Sequence, residues 1–194
     1  MFIAFEGGEG TGKSSQVTLL AKEFKKRGIS YITTKEPKTP GIRKLLFGKS
    51  HIPSLTELLL FIADRKIHVE DVIKPALTEG KNVITDRFFL STIAYQGYGR
   101  GINIDLIERL NCEACTGTFP DVNILLDIDE EEGLKRKARS DRLEREDISF
   151  HKKIREGYLE LAKKMPDKIR VVDGRRKKKE IHNEIMSILK QWLH

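Results

Sequence analysis

The chain has 194 residues, of which 39% are hydrophobic and 34% are charged, and its formal net charge is +7. A chain of this length can bury most of its surface in one core, so we expect a single domain over residues 1–194. No apolar run is long enough to span a bilayer, and no signal-peptide pattern precedes the first predicted strand, so we expect a cytoplasmic protein without a membrane partner. The excess of basic over acidic residues indicates an anionic partner, either phosphorylated small molecules or nucleic acid.

Strand-like and helix-like segments alternate along the sequence, a pattern typical of a parallel sheet with helices on both faces. The predicted strands cover residues 2–6, 29–34, 82–86, 122–128 and 169–172, and the predicted helices cover 13–27, 55–77, 148–164 and the C-terminal residues to 192. Pro75 should bend or break the second helix, and the segment with Pro37 and Pro40 is predicted to be a loop. Right-handed crossovers then predict a doubly wound, five-stranded α/β fold with ligands at the carboxyl ends of the strands.

The strongest motif lies between the first predicted strand and the first predicted helix. Its sequence, GGEGTGKS at residues 7–14, matches the P-loop pattern G-x-x-x-x-G-K-[ST] in the strand–loop–helix context that the motif requires. Backbone N–H groups of such a loop surround phosphates, the lysine reaches the β- and γ-phosphates, and the hydroxyl binds Mg²⁺. The alternative is a chance glycine-rich turn. The motif predicts a P-loop NTPase-type fold and ATP binding by Gly7, Gly8, Glu9, Gly10, Thr11, Gly12, Lys13, Ser14 and Ser15, with Mg²⁺ on Ser14.

An acidic and a basic residue, Asp86 and Arg87, follow each other at the end of the third predicted strand. In this topology that strand lies beside the P-loop strand. Asp86 is then placed to hold a water of Mg²⁺, and Arg87 to hold a transferable or accepting phosphate. A surface ion pair is the alternative, but the neighbouring P-loop favours the functional interpretation.

Residues 136–147 form an almost wholly charged segment between the fourth predicted strand and the next helix, and its arginines include Arg139 and Arg142. Such a segment is either a solvated helix face or a short mobile lid. A lid that brings arginines over ATP would neutralise the charge on the transferring phosphoryl group and would exclude water. We therefore interpret this segment as a lid.

The basic run near the C-terminus and the two cysteines are interpreted as structural features without a role in binding or catalysis. The densest basic run, residues 175–179, precedes the C-terminal helix and is interpreted as a solvated face, so no nucleic-acid partner is predicted. Cys112 and Cys115 have C-x-x-C spacing, but no second pair of zinc ligands follows and the flanking sequence lacks a thioredoxin-like setting. We expect two reduced thiols at a helix end.

Taken together, the motifs resemble those of bacterial thymidylate kinases, and the resemblance covers nearly the whole chain. The segments that carry it are FIAFEGGEGTGKSSQ from residue 2, LLLFIADR from 58, TDRFFLSTIAYQGYGRGI from 85, FPDVNILLDID from 119 and GYLELA from 157. The DR-x-x-x-S-T-x-A-Y-Q-G run is more specific than the P-loop, because other nucleoside monophosphate kinases do not share it. The chain departs from the family in the short stretch KTPG at 38–41, where a longer loop with paired glycines is usual.

The resemblance implies an acceptor site for dTMP. Phe61 would stack on the thymine ring and Arg65 would hydrogen-bond its O4, and residues four apart on one helix can face one ligand. Tyr95 would pack against the sugar where a ribose 2′-hydroxyl would project. The other implied positions are Ser91, Thr92 and Gln96 along the base edge, Arg43 and Arg87 at the acceptor phosphate, Glu36 at the acceptor nucleotide, and Glu9 near the 3′-hydroxyl or a Mg²⁺ water. From the residues alone, Phe61 and Tyr95 would be interpreted as ordinary core residues.

The resemblance also places the extra catalytic arginine. Gly10 stands where one branch of the family has arginine, whereas the predicted lid is rich in arginine. The chain is therefore similar to the branch with lid arginines, in which Arg142 aligns best with the catalytic position and Arg139 follows. A homodimer with the helix of residues 55–77 at the interface is implied as well.

The expected activity is phosphorylation of dTMP to dTDP with Mg²⁺ and ATP, one step before dTTP. Its expected catalytic residues are Lys13, Arg87, Arg142 and Arg139. Three alternatives stay open at this point. They are a kinase for another nucleoside monophosphate, a P-loop regulatory switch, for which the guanine-reading N-K-x-D motif is missing, and a nucleic-acid-binding protein.

Overall fold

Strands and helices alternate along the chain, as the sequence predicts. The computed structural model describes residues 1–48, 50–136 and 142–192. The elements are β1 (Phe2–Glu6), α1 (Lys13–Lys26), β2 (Tyr31–Lys35), α2 (Pro40–Phe47), α3 (Ser54–His68), a π-helical turn (Val69–Ile73), α4 (Lys74–Thr78), β3 (Asn82–Asp86), α5 (Phe89–Thr92), a second π-helical segment (Ile93–Gly99), α6 (Ile104–Cys115), β4 (Val122–Asp127), α7 (Glu130–Lys135), α8 (Ile148–Lys164), β5 (Ile169–Asp173), α9 (Lys178–Leu189) and a 3₁₀ turn (Lys190–Trp192).

The sheet has five strands in the order β2-β3-β1-β4-β5, and all of its neighbouring strands are parallel. Its central strand, β1, is buried along its whole length, which is typical of a strand covered on both faces. Alternate side chains of β1 enter different clusters. Ile3 and Phe5 pack with residues of α1 and α9, whereas Phe2 and Ala4 pack with residues of the first π-helical turn and α4. The predicted doubly wound fold is confirmed, and β3 lies beside β1 as expected.

The structure differs from the predicted elements mainly between β2 and β3. Residues of the predicted loop form the helix α2, because Pro40 stands at its N-terminus, where the missing N–H leaves no helical hydrogen bond unmade. The long predicted helix is interrupted by the π-helical turn Val69–Ile73, immediately before the turn that contains Pro75. The predicted interruption is therefore confirmed.

The cysteines, the membrane expectation and the predicted lid are the remaining features. Both cysteines are free thiols, and Cys115 is the last residue of α6, as predicted. Across the three described ranges, no helix is both long enough and apolar enough to cross a membrane. Residues 137–141, which include Arg139, lie outside the described residues, so the predicted lid is described only in part.

Candidate active site

A cavity of about 470 Å³ opens beside the P-loop. Most residues assigned from the sequence line it, namely Glu9, Gly10, Thr11, Gly12, Lys13, Ser14, Ser15, Glu36, Arg43, Phe61, Arg65, Asp86, Arg87, Ser91, Thr92, Tyr95 and Gln96. The lining is completed by Lys35, Pro37 and Phe47, which the sequence analysis did not assign to a site, and by Arg136 and Leu143 of the predicted lid. The fold thus brings the P-loop and the expected acceptor residues to one cavity.

Lys13 is held inside the P-loop. Its Nζ donates hydrogen bonds to the carbonyl oxygens of Gly7, at 3.0 Å, and Gly8, at 2.6 Å, and to Thr11 Oγ1 at 3.3 Å. Burial lowers the pKa of Lys13 to about 8, and the positive charge of Arg87 acts in the same direction. The loop therefore concentrates a cation and several backbone N–H groups at the N-terminus of α1, a geometry suited to binding phosphates.

Gly10 is required by the packing of the P-loop. Its φ is +67°, and a Cβ at this position would lie 1.8 Å from the carbonyl oxygen of Gly133 in α7. No side chain fits into that space without moving the backbone of one of the two segments. The P-loop of this chain therefore could not carry an arginine at Gly10.

Hard oxygen donors meet where α1 begins and β3 ends. Ser14 Oγ donates a hydrogen bond to Asp86 Oδ2 at 2.5 Å. A hydroxyl beside a carboxylate suits Mg²⁺, which usually takes one or two protein oxygens together with waters and substrate phosphates. Within the described part of the chain, no group of three or more His, Cys, Asp or Glu side chains could hold a metal by itself. The residues present therefore fit a magnesium ion that is held jointly with the nucleotide.

Arg87 joins the P-loop to the expected acceptor site. Its φ of 72° is rare for a residue with a side chain. One guanidinium nitrogen donates to Gly7 O at 3.0 Å and Ser91 Oγ at 3.3 Å, and the other to Glu9 Oε1 at 2.5 Å and Tyr95 Oη at 3.0 Å. Tyr95 Oη in turn donates to Glu9 Oε1 at 2.7 Å. The sequence alternative of a simple surface pair with Asp86 is not supported, because Arg87 is embedded in this cluster.

The buried carboxylate of Glu6 holds residues around Arg87 in place by hydrogen bonds, a role that the sequence analysis missed. Its carboxylate accepts hydrogen bonds from Phe88 N at 2.9 Å, Ser91 Oγ at 2.6 Å and Tyr158 Oη at 3.1 Å. Complete burial raises the pKa of Glu6 to about 7, although the three hydrogen bonds act in the opposite direction. The available signal was an acid at the end of an otherwise apolar, buried strand.

Arg65 lies at the centre of a buried polar network. It donates to Glu36 through Nε at 3.1 Å and Nη2 at 2.5 Å, and through Nη1 to Thr92 Oγ1 at 2.8 Å and Asn111 Oδ1 at 2.5 Å. Glu36 also contacts His68 Nδ1 at 3.1 Å. Arg65 is only 1% exposed, so these partners fix the plane of its guanidinium group at the cavity wall.

The short stretch after Pro37 is held by an acid of α3. Asp64 accepts hydrogen bonds from the backbone N–H groups of Lys38, at 2.7 Å, and Thr39, at 2.6 Å. These bonds fix the start of α2, whose Arg43 lines the cavity and stacks over the Phe47 ring at 5.0 Å. The shortened connection therefore still delivers Arg43 to the site.

The apolar part of the cavity contains the predicted aromatic residues. Phe61 is partly buried, packs against the largest core cluster and also lines the cavity. Tyr95 is nearly buried, and its ring lies 4.9 Å from the guanidinium carbon of Arg87. The core and functional interpretations of these two residues are therefore compatible, because one ring face can pack while another borders the cavity.

Two arginines of the charged segment are described, and they differ in position. Arg136 lines the cavity and donates to Gly174 O at 3.0 Å and to Glu132 at 2.5 Å. Arg142 is not among the lining residues, and its guanidinium group binds the buried carboxylate of Glu57. Arg142 therefore pairs with Glu57 in this structure, because a buried carboxylate is stabilised by a cation, and its catalytic role stays a prediction.

These features define the class of the protein. The sheet is parallel, a P-loop follows its central strand, a hydroxyl–carboxylate pair suits magnesium, and one cavity joins the P-loop to aromatic residues and a buried arginine. This combination is typical of a P-loop nucleoside monophosphate kinase.

Comparisons with known proteins identify the family. The family model described as thymidylate kinase matches residues 5–185. A thymidylate kinase of Nostoc sp. is 44% identical over 207 residues, covering 99% of this chain and 98% of the relative. One from Halothermothrix orenii is 45% identical over 196 residues, covering 95% and 94%. The crystal structure of thymidylate kinase from Ehrlichia chaffeensis has a TM-score of 0.82 and 36% identity, covering 97% of this chain and 98% of that one. The chain belongs to the thymidylate kinase family.

Proposed function

We propose that the cavity binds the phosphates of ATP at the P-loop and dTMP along the wall formed by α3 and the segment after β3. As a member of its family, the chain is an ATP-dependent kinase that phosphorylates dTMP to dTDP, a step toward dTTP. The observation that carries the proposed assignment of sites is that Lys13 of the P-loop and the pair Phe61 and Arg65 line one continuous cavity.

The proposed reaction is an in-line displacement at the γ-phosphorus of ATP. An oxygen of the dTMP phosphate forms the new bond to that phosphorus, and the bond to the oxygen that bridges the β- and γ-phosphates breaks, with its electron pair leaving on ADP. The attacking oxygen is already anionic, so no general base is required. The protein's part is to position the two phosphates and to neutralise charge.

Cations of the site supply that neutralisation in the proposed mechanism. Lys13 contacts the phosphates of ATP, and Arg87, with Arg43, holds the acceptor phosphate. Arg136 already borders the cavity at the start of the charged segment. The catalytic role of Arg142 stays a prediction, since its guanidinium group must leave Glu57 before it can contact a phosphate. Arg139 keeps its predicted ATP contact, outside the described residues.

Magnesium is the proposed cofactor. Ser14 would hold it directly, and Asp86 and Glu9 through waters, an assignment supported by the hydroxyl–carboxylate pair at 2.5 Å. The ion, when bound, neutralises charge on the β- and γ-phosphate oxygens.

Acceptor recognition is assigned to the buried polar network and the aromatic residues. Arg65, fixed by Glu36, presents its guanidinium edge to the thymine O4, and Ser91, Thr92 and Gln96 follow the base edge. Tyr95, whose hydroxyl is held by Glu9, closes the region where a ribose 2′-hydroxyl would project. These roles rest on the positions of the side chains around the cavity and on the family's specificity.

We expect Phe61→Ala to raise the KM for dTMP by about 5- to 150-fold, because base–aromatic stacking contributes roughly 1–3 kcal/mol. The KM for ATP should change little. Phe89→Ala is the matched control, since Phe89 is a partly buried aromatic residue of the same half of the molecule that packs on Phe88 and Phe119 and does not line the cavity. Steady-state kinetics with each substrate varied would separate the two roles, and an equal rise in both KM values for Phe61→Ala would mean that the residue serves only core packing.

We also propose that the protein is a cytoplasmic homodimer with α3 in its interface. Leu55, Leu59 and Ile67 are 53%, 48% and 42% exposed, and their spacing of four and eight residues places them along one side of the helix. An exposed aliphatic stripe of this kind is typical of a surface that a partner covers. A second copy of the chain is the partner that the family resemblance implies.

A further inference from the structure

Glu57, in the first turn of α3, is a fully buried carboxylate beneath the acceptor side of the cavity. Glutamate is rarely buried to this degree unless it is paired, because removing a carboxylate from water costs several kcal/mol or more. It does not line the cavity, and the proposed mechanism does not use it.

Both carboxylate oxygens of Glu57 are occupied by donors from other segments. Oε1 accepts from Gln96 Nε2 at 2.8 Å and from Arg100 Nε at 3.3 Å. Oε2 accepts from Arg100 Nη2 at 3.3 Å and from Arg142 Nη2. Burial by itself raises the pKa of Glu57, but the hydrogen bonds from Gln96, Arg142 and Arg100 outweigh it and hold the pKa below its usual value. Glu57 is therefore ionised at neutral pH and can only accept hydrogen bonds.

An obligate acceptor at this position decides the orientation of Gln96. The two ends of a glutamine amide are similar in shape but opposite in hydrogen-bonding character. With an ionised carboxylate 2.8 Å away, the NH₂ end of Gln96 must face Glu57, and the reversed amide would set a carbonyl oxygen against a negative charge. Gln96 is 1% exposed and lines the cavity, so with its NH₂ end held by Glu57 the acceptor that it can offer to a ligand is Oε1.

We infer that Glu57 is a positioning residue that sets the base specificity of the acceptor site by fixing Gln96 as a hydrogen-bond acceptor. The inference rests on the proposed function, in which Gln96 lies along the edge of the base. A carbonyl oxygen at this edge matches the N3–H donor of thymine, whereas N3 of cytosine is itself an acceptor and would face the carbonyl unpaired. A buried polar mismatch of this kind supports large discrimination between substrates.

Arg100 and Arg142 complete the arrangement. Arg100 also forms an ion pair with Glu146 at 2.6 Å and lies over the Phe150 ring at 4.5 Å, and Arg142 also donates to Leu46 O at 3.4 Å. The cations that keep Glu57 ionised are therefore anchored to the end of α2 and to the start of α8. The two arginines act on Gln96 indirectly, because they keep Glu57 ionised, and in this inference neither arginine contacts the base.

The test is the ratio of kcat/KM for dTMP to kcat/KM for dCMP. In Glu57→Gln, a neutral amide at residue 57 offers either a donor or an acceptor, so Gln96 can turn and present its NH₂ group to N3 of cytosine. We expect the ratio to fall about tenfold or more. The matched control is Glu70→Gln, which removes an exposed carboxylate paired with Lys66 and Lys74 in the same helical stretch and should leave the ratio unchanged.

Two additional variants separate orientation from general damage to the fold. Gln96→Met lowers the ratio by itself, and Glu57→Gln should then have no further effect on it in the Gln96→Met background. If Glu57→Gln does not fold, Glu57→Asp keeps the charge for the arginines but withdraws the carboxylate from Gln96, and the ratio should again fall. A folded Glu57→Gln or Glu57→Asp variant with the wild-type ratio would overturn the inference. A wild-type protein without preference for dTMP over dCMP would instead overturn the proposed function.

Discussion

Lys13→Ala should lower kcat by on the order of 10²–10³-fold or more while the protein still folds. The ammonium group lies inside the P-loop, in contact with two backbone carbonyls and Thr11 Oγ1. In the proposed reaction it faces the oxygens on which charge accumulates as the phosphoryl group moves. No other lysine of the P-loop can replace it, because the loop has only this one between residues 7 and 15.

The measurement is ADP release at saturating ATP and dTMP, combined with thermal unfolding of the variant. Lys22→Ala is the matched control, since Lys22 is an exposed lysine on the same helix, α1. It should retain the wild-type kcat. A folded Lys13→Ala protein whose kcat stays within a few fold of wild type would refute the phosphate role of the loop.

Arg87→Met should lower kcat/KM for dTMP by about 30- to 5,000-fold, with a smaller change in the KM for ATP. Truncating one member of a buried, hydrogen-bonded charge pair typically costs 2–5 kcal/mol, because the partner is left unpaired. Here the partner is Glu9, whose carboxylate lies 2.5 Å from the guanidinium group and would lose this ion pair while keeping the hydrogen bond from Tyr95 Oη. The substitution removes the cation proposed for the acceptor phosphate and also releases Tyr95 Oη from one of its partners.

Arg87→Lys distinguishes charge from geometry. It keeps a positive charge at the same backbone position, with the same positive φ, but lacks the planar fork that serves Gly7, Ser91, Glu9 and Tyr95 together. We expect an activity between those of wild type and Arg87→Met. Wild-type kinetics for Arg87→Met would show that the cluster is structural and that the acceptor phosphate binds elsewhere.

Local sequence patterns were sufficient to predict most of the fold. The buried strand β1, the glycine-rich loop and α1 are encoded by adjacent residues, and their order alone predicts the P-loop and its neighbour β3. The helix α2 was missed because two prolines suggest a loop, whereas a proline at a helix start is favourable. That placement depends on Asp64, which is far from the loop in sequence and binds its backbone.

Side-chain partners within the site were harder to predict, because they too come from segments that are distant in sequence. The family resemblance indicated which residues border the cavity, but not which residues hold them in place. Glu6 and Glu57 have no motif of their own, and their importance follows from burial among donors that come from distant segments. Arg142 was expected near the phosphates from its charge and alignment. Its contact with Glu57 follows from tertiary packing that spacing along the chain does not reveal.

In the proposed function, one cavity transfers a phosphoryl group from ATP to dTMP in preference to other nucleoside monophosphates. The most direct measurement is coupled ADP release with ATP and each of dTMP, dCMP, dGMP and AMP as acceptor. We predict that kcat/KM for dTMP exceeds each of the other values by about 10²-fold or more, since the polar groups of the acceptor wall would be left unpaired by the wrong base. Comparable values for another acceptor, or no ADP release with dTMP, would refute the proposed function.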